Sequence, residues 1–558
     1  MITIEIKKAN KLSSEYGMFI TSPYDETVLG AVRTLSPRFW HGTERVWEVP
    51  VNKLTDFVNQ LSNYEIQLTG NLSVLAEKKM PDIQFEFKTK PFDHQIEGFN
   101  YGLTHDKWLL GDEQGCGKTW QVINIALAKR QIYGYKHCLI ICGVNGLKYN
   151  WFNEIKKHSD EQGHILGWKQ RKDGKGMLKT ISNANKLADI QRIDELPYFI
   201  ITNVESLRDE KISNALKDLC KNKTIDMVAI DEIHRCKDAN SQQGKGILKL
   251  SAETMIAMTG TPLLNTPLDL YIILKWLGYE SHSFYAFKNH YCIMGGYGGY
   301  QIMGYQHKDE LKDTLSEMML RRLKEDVLDL PEKLYIEEYV EMNKEQWGIY
   351  DEVLNDIRLN IDKIASTPNP LAQLIRLRQA TGYTGILSSD IKVSAKLDRM
   401  VELVEDAVAN NRKVIVYSNW TDITDVVLER LKRFNPATIT GKVNSSEVPL
   451  MEKKFQEDDS CKVIVGTISK MGTGYTLNSG TVEIFLDLPW TMGTFQQAVD
   501  RAHRIGQNSN ISIYVLMCKD TIDEKIYSIV KSKGELSDDI IDDKTTEDKR
   551  QLLTYLLG

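Results

Sequence analysis

Nine residues, GDEQGCGKT from Gly111 to Thr119, follow an apolar run ending at Leu110 and precede the helical run WQVINIALAKR. A glycine loop between a strand and a helix is the arrangement that cradles phosphates. Gly115 and Gly117 let backbone N–H groups turn inward, and the helix start adds its positive dipole end. Lys118 would reach the β- and γ-phosphates of a nucleotide, and Thr119 would hold Mg²⁺. The strict pattern wants glycine where Asp112 stands, so a glycine turn followed by an incidental Lys-Thr is the competing reading. A second group of residues argues against that. The apolar run Met227 to Ile230 ends in Asp231-Glu232-Ile233-His234. A carboxylate at the tip of a buried strand suits Mg²⁺ coordination through its water shell. Glu232, beside it, can orient and deprotonate an attacking water. The two groups together predict nucleoside triphosphate hydrolysis.

These groups need a scaffold that presents strand ends. Between Phe92 and the C-terminal region, short β-rich runs alternate with helical stretches: Trp108 to Leu110, His137 to Cys142, Tyr198 to Thr202, Met227 to Ile230 and Met255 to Met258. A second series comprises Lys413 to Tyr417, Lys462 to Val465, Val482 to Leu486 and Ile511 to Met517, after a mostly helical stretch from Lys308 to Ala407. Near-continuous apolar strands alternating with helices predict parallel sheets covered on both faces, hence two α/β lobes. Residues 1–75 read differently, as a small α+β module with strands at Met18 to Thr21 and Val46 to Val49 and a helix from Asn52 to Leu61. A polar linker follows at Ala76 to Asp82. The glycine-rich GGYGGYQIMGY, Gly295 to Tyr305, reads as an exposed loop, and the acidic tail Asp538, Asp539, Asp542, Asp543 as a solvated helix end.

The 558 residues predict three or four domains at ~150 residues each. With 42% hydrophobic and 26% charged residues, a disordered or fibrous chain is excluded. No run approaches the ~18 apolar residues of a membrane span, and the alternating start MITIEIKKANK does not resemble a secretory signal. Eight cysteines without a C-x-x-C pair argue against a disulfide scaffold or a structural zinc site. A net charge of −6 means that nucleic-acid binding must come from local basic patches.

In detail the chain resembles superfamily 2 helicase-like motors, and within them the Swi/Snf (Snf-two) ATPases. Their first motif carries aspartate at the position of Asp112, which turns the incomplete phosphate loop into a match. LIICGVNGLKYNWFNEI, Leu139 to Ile155, resembles motif Ia with Gly143 for the usual proline, and IITNVESL, Ile200 to Leu207, resembles motif Ib. DEIHRCKDANS and MTGTPLLNTPLDLYIILKWLG resemble motifs II and III. VIVYSNW, GTISKMGTGYTLN and QAVDRAHRIGQ (Gln497 to Gln507) resemble motifs IV, V and VI, with Thr476 and DLPWTM as departures. MLRRLKEDVLDLPEK, Met319 to Lys333, resembles the junction between lobes. Arg33, Phe39, Trp40, Trp47 and KLTDFVNQL, with FYAFKNHYC further on, resemble the HARP-type annealing helicases.

The resemblance implies two tandem RecA-like lobes, residues 81–330 and 331–558, behind a HARP-like module at 1–75. It implies ATP and Mg²⁺ in a cleft between lobes. Gln95 would read the adenine, Asp112, Gly115, Gly117 and Gln497 would help hold the nucleotide, and Arg501 and Arg504 would act as arginine fingers. His234 with Thr259, Gly260 and Thr261 would couple phosphate state to DNA. Lys148, Asn150, Arg321, Arg322 and Lys470 would contact DNA phosphates, with the basic insert Lys169, Arg171, Lys172, Lys175 as a further candidate. The implied protein is a monomeric, DNA-dependent ATPase that translocates on double-stranded DNA, with rewinding or remodelling of forked DNA in repair or replication as an extension. It would work in the cytoplasm of a bacterial or phage-infected cell, or in a nucleus. A strand-separating DNA or RNA helicase and a catalytically silent DNA-binding scaffold are the alternatives. Cys116, in the phosphate loop, is expected either to have a lowered thiol pKa, so that alkylation inactivates and bound ATP protects, or to be a buried, inert cysteine.

Overall fold

The apolar runs around the motifs form strands because they are buried on both faces: CLIIC at 138–142, FIITN at 199–203, MVAID at 227–231 and TMIAM at 254–258 have no exposed residue. A computed structural model describes residues 1–10, 16–35, 38–72, 80–143, 146–168, 182–236, 238–260, 266–295, 301–366, 371–444, 447–472, 474–533 and 546–557. Thr261, the insert Lys169 to Lys175, most of the linker after Ala76 and the acidic tail residues lie outside the described residues. The contacts divide the chain into two units, Met1–Glu113 with Gly117–Leu323, and Lys324–Gly558 with Gln114–Cys116.

The first unit opens with a five-stranded mixed sheet: β1 (Ile2–Lys8), β2 (Tyr16–Thr21), β3 (Phe39–His41), β4 (Val46–Pro50) and β5 (Ile66–Gly70), in the order β3-β4-β2-β1-β5. Ile2, Ile4 and Ile6 are buried along β1, and Ile2 and Ile4 share a core with helix Glu26–Thr34 and helix Leu54–Gln60. Asp25 caps the first of these helices by accepting from the backbone N–H groups of Thr27 and Val28. The second begins at Leu54, after a short 3₁₀ turn, later than the expected Asn52.

A seven-stranded sheet follows, built from β6 (Lys107–Leu110), β7 (Cys138–Cys142), β8 (Gly163–Ile165), β9 (Phe199–Asn203), β10 (Met227–Asp231) and β11 (Thr254–Met258), with β14 (Met319–Leu320) at its edge. Between them in sequence, β12 (Cys292–Gly295) and β13 (Gln301–Tyr305) pair as an antiparallel hairpin. The large sheet is parallel throughout, in the order β14-β6-β11-β10-β7-β9-β8. Its two apolar layers lie one on each face. Register decides what comes next: Leu110 pairs with Met258, Met258 with Asp231, and Asp231 with Cys142. Four chain segments therefore leave the sheet along one edge.

In the second unit, β15 (Lys333–Val340), β16 (Lys413–Ser418), β17 (Ala437–Ile439), β18 (Val463–Thr467), β19 (Gly480–Phe485) and β20 (Ile511–Cys518) form another parallel sheet, ordered β15-β20-β19-β16-β18-β17. The α/β class of two parallel sheets flanked by helices is as expected. One expectation fails. The segment Gly295 to Tyr305 contributes strand residues to a hairpin, because the backbone of 301–305 pairs with 292–295 despite its glycines. The stretch from Lys308 to Ala407 is mostly helical, as expected, and also contains β15, whose half-exposed pattern, with Leu334, Tyr335 and Tyr339 outward, hides it among helices. Among the described residues no helix is long and apolar enough to cross a membrane.

Candidate nucleotide site and the family of the chain

The loop after β6 turns on glycines in the left-handed region, Gly115 at φ +88° and Gly117 at φ +79°. Side chains other than glycine pay sterically for such angles. Helix Lys118–Tyr133 starts directly after Gly117, which places Lys118 and Thr119 in its first turn. The Lys118 Nζ donates to the backbone carbonyls of Asp112 at 2.7 Å and Glu113 at 3.1 Å. The ammonium is thus held over the loop by carbonyls that a phosphate could replace. Thr119 is half-buried.

Asp112 is fully buried beneath this loop. Arg322 donates to it twice, from Nε to Oδ1 at 3.0 Å and from Nη2 to Oδ2 at 2.6 Å. Gln121 donates to the same Oδ2 at 2.9 Å. Arg322 also donates to the Gln121 Oε1 at 3.0 Å and to the backbone carbonyl of His94. The pairing of β14 with β6 extends past both strands, since Gly111 N–H donates to Leu320 O and Glu113 N–H to Arg322 O. That extension carries Arg322 under the loop. Arg322 was expected on DNA; the fold spends its donors on the floor of the phosphate loop instead.

Asp231 ends β10 with 8% exposure, and Trp151 Nε1 donates to its Oδ2 at 2.9 Å. Burial, and secondarily the neighbouring Glu232 charge, pushes the Asp231 carboxyl above the usual carboxylate range. Glu232 follows in the left-handed region at φ +52°. An uncommon backbone there marks a position held by its surroundings. Its Oε2 is buried, lies 3.2 Å from His234 Nδ1 and makes no hydrogen bond among the described residues. His234 Nδ1 is hydrogen-bonded instead to Thr259 Oγ1 at 2.8 Å. The expected coupling pair is therefore in contact, next to the carboxylates. Gly143, where proline is usual, has its reason here: its N–H donates to Asp231 O at 2.8 Å, and a Cβ would stand 2.7 Å from Glu232 O.

The remaining expected residues fall in different settings. Gln95 is buried and its Oε1 accepts from Phe92 N–H at 3.0 Å, fixing the start of helix Asp93–Thr104. Lys148 is 3% exposed, and burial lowers its pKa to about 8, with the Lys186 charge acting the same way. An open phosphate contact through Lys148 is thereby corrected to a buried position. Asn150 is half-buried, while Arg321 and Lys470 are exposed. In the second unit, Arg501 is buried and its Nε donates to Gln497 O at 3.1 Å. Arg504 Nη1 donates to Thr476 Oγ1 at 2.9 Å, so the unusual Thr476 serves as its anchor. Asp500 receives the buried Lys324 Nζ at 2.6 Å. Cys116 is fully buried, the setting of the second of its two expected roles, an inert thiol.

Sequence reasoning had no role for Trp151, Gln121 or Lys324. Each lies inside or beside a recognised motif, but Trp151 and Lys324 have their partners far away in sequence, at Asp231 and Asp500, and Gln121 joins Asp112 to the distant Arg322.

The SNF2-related domain family matches residues 94–383, and the helicase conserved C-terminal domain matches residues 395–506. The chain is 26% identical over 502 residues to the DNA annealing helicase and endonuclease ZRANB3 of Bos taurus, covering 85% of this chain and 43% of that protein. It is 25% identical over 535 residues to the SWI/SNF-related matrix-associated actin-dependent regulator of chromatin subfamily A-like protein 1 homolog of Caenorhabditis elegans, covering 92% and 72%. The chain thus spans less than half the length of the ZRANB3 relative. Among solved structures it is similar to the Sulfolobus solfataricus SWI2/SNF2 ATPase core in complex with dsDNA, at 24% identity, 84% and 96% coverage and a TM-score of 0.38. With the family match covering more than half of its residues, on the segment that holds Lys118, Asp231 and Glu232, this chain belongs to the SNF2-related family.

Proposed function

We propose that the chain is a DNA-dependent ATPase that translocates along double-stranded DNA. The observation that carries the reading is the single sheet edge at which the parallel register delivers Lys118, Asp231, Glu232 and Thr259. Lys118 exchanges its loop carbonyls for the β- and γ-phosphates, while the N–H groups around Gly115 and Gly117 line the same loop. Asp112 supports that loop from below through Arg322 and Gln121. Gln95 and Gln497 are assigned to the rest of the nucleotide.

The donor set fits Mg²⁺. Asp231 has one oxygen held by Trp151, Thr119 offers a hydroxyl, and a buried Glu232 oxygen makes no hydrogen bond among the described residues. Bound Mg²⁺ supplies charge neutralisation at the phosphates. Glu232 then orients and deprotonates the attacking water, and the His234–Thr259 contact, with Gly260, links its position to the motif III turn. Arg501 and Arg504 act as arginine fingers toward the transferring phosphoryl group, which carries charge that the lysine alone does not neutralise.

Arg321, Lys470 and Asn150 are assigned to the DNA backbone. Contacts to phosphates position a protein without reading sequence, so a chain of net charge −6 can still track DNA with a few local cations. Residues 1–75 are assigned to an extension of the activity, rewinding or remodelling of forked DNA; the ZRANB3 relative is named a DNA annealing helicase.

ATPase rate measured with no nucleic acid, single strands, duplex, forked DNA and RNA tests the reading. Stimulation by duplex, with triplex displacement and no strand separation, is expected. Strand separation, or stimulation by RNA alone, would replace it with a helicase of the same superfamily. Glu232→Gln should keep nucleotide binding and lose about 10²-fold or more in hydrolysis; a parental rate would revive a silent scaffold.

A further inference from the structure

Two histidines and a glutamate far from the nucleotide loop meet at the base of the β12–β13 hairpin. Helix Phe284–Tyr291 ends just before β12, and helix Lys308–Met318 begins just after β13. The hairpin closes where Cys292 pairs with Tyr305 and the Gln306 N–H donates to Tyr291 O at 2.9 Å. Gln306 Nε2 adds a bond to His290 O at 2.9 Å. Residues 290 and 307, on opposite arms, are consequently neighbours. Their imidazoles stack with centroids 4.5 Å apart and planes 10° from parallel. His307 adopts φ +54°, uncommon outside glycine, at the start of its helix. One turn on, Glu310 Oε2 lies 3.0 Å from His290 Nε2.

One ligand atom from each of the three residues lies within 4.8 Å of the others. Two donors that each bind a metal at about 2.1 Å stand roughly 3.0–3.4 Å apart on neighbouring corners of its coordination shell. The His290–Glu310 separation already has that length. Parallel imidazoles aim their lone pairs side by side, so binding needs one ring to turn. Both histidines are exposed enough for that, with the His290 side chain 44% accessible. Simple charge pairing does not account for the arrangement: an exposed His–Glu pair is worth little and gives no role to the second imidazole.

We propose that His290, His307 and Glu310 form a binding site for a zinc-class divalent ion, which ties helix Phe284–Tyr291 to helix Lys308–Met318 across the hairpin base. Two imidazoles and one carboxylate suit Zn²⁺, with a fourth position open to water. The site is independent of the nucleotide site and of the activity proposed above.

The test uses the full chain, stripped with chelator and free of Mg²⁺ and nucleotide, titrated with ZnCl₂ by calorimetry and with Co²⁺ by visible absorption. One equivalent should bind, with Co²⁺ showing the bands of a four- or five-coordinate centre. His290→Ala, His307→Ala and Glu310→Gln should each weaken it by at least the tenfold that loss of even an outer-shell partner costs. Zinc taken up at Asp231 and Glu232 would survive all three substitutions; if that is the only saturable binding, the proposal fails. It fails equally if no saturable equivalent is seen. Two of the three changes are to exposed histidines, so loss of folding in one variant leaves the other to decide.

Discussion

Arg322 closes a two-pronged ion pair on Asp112, with contacts of 3.0 and 2.6 Å, beneath the loop that carries Lys118. The two residues are 210 positions apart and meet because β14 pairs in parallel with β6. Breaking a buried pair from one side leaves an uncompensated charge, at a cost of about 3–5 kcal/mol. Arg322→Ala should lower stability by that order in denaturant unfolding and weaken nucleotide binding. Arg322→Lys should recover only part, since an ammonium cannot fork. The salt dependence of DNA binding should be unchanged by Arg322→Lys.

Trp151 plays the matching part for motif II. Its indole is fully buried and its N–H is spent on Asp231. Trp151→Phe keeps most of the packing and removes the donor, so a loss of about 1.5–3 kcal/mol is expected, the range for hydrogen bonds to charged groups. Thermal and denaturant unfolding measure it. An unchanged stability would show that the carboxylate finds another donor.

Lys148 gives a pH signature. Burial depresses its pKa from the ordinary 10.5 to about 8. Unfolding returns the ammonium to water, so below pH 8 the folded chain bears the whole cost of the buried charge. Between pH 8 and 10.5 the folded lysine has shed its proton while the unfolded one has not, and the cost falls away. Lys148→Met should therefore stabilise the protein at pH 7 by no more than about 3 kcal/mol. That advantage should shrink toward zero by about pH 10.5. A constant advantage across this range would mean that the gain comes from packing.

Arg504 is held by Thr476, and Arg501 by the backbone carbonyl of Gln497 in the preceding helix. Arg504→Ala should cost about 10³-fold or more in turnover if it serves as an arginine finger, with nucleotide binding little changed. Single-turnover hydrolysis beside a binding assay separates the two effects. A parental rate would assign Arg504 to the motif V–VI scaffold alone.

All eight cysteines are buried, and none is in a disulfide. Burial pushes seven of their thiols above the ordinary range, Cys220 and Cys236 up to about 12. A thiol reagent should therefore react slowly with the native protein and reach eight equivalents only in denaturant. Rapid loss of ATPase on alkylation would restore the reactive phosphate-loop thiol expected from Cys116.

Strands such as CLIIC and MVAID were legible because burial on both faces demands unbroken apolar runs, a local property of the chain. β15 was not, since it is an edge strand whose outward Leu334, Tyr335 and Tyr339 break any periodicity. The hairpin at 292–305 escaped notice because glycine marks turns and close backbone approach alike.

Residue order alone established the chemical inventory: a lysine after a glycine loop, paired carboxylates at a strand tip, and arginines in a QAVDRAHRIGQ segment. Those features are local, since a motif is a short stretch whose backbone chemistry travels with it. Which charges are free to act was settled by tertiary packing. Arg322 and Lys148 read as surface cations in sequence, yet sheet register draws the first onto Asp112 and burial takes the second out of water. Charge is written in a side chain, but its availability depends on neighbours hundreds of residues away.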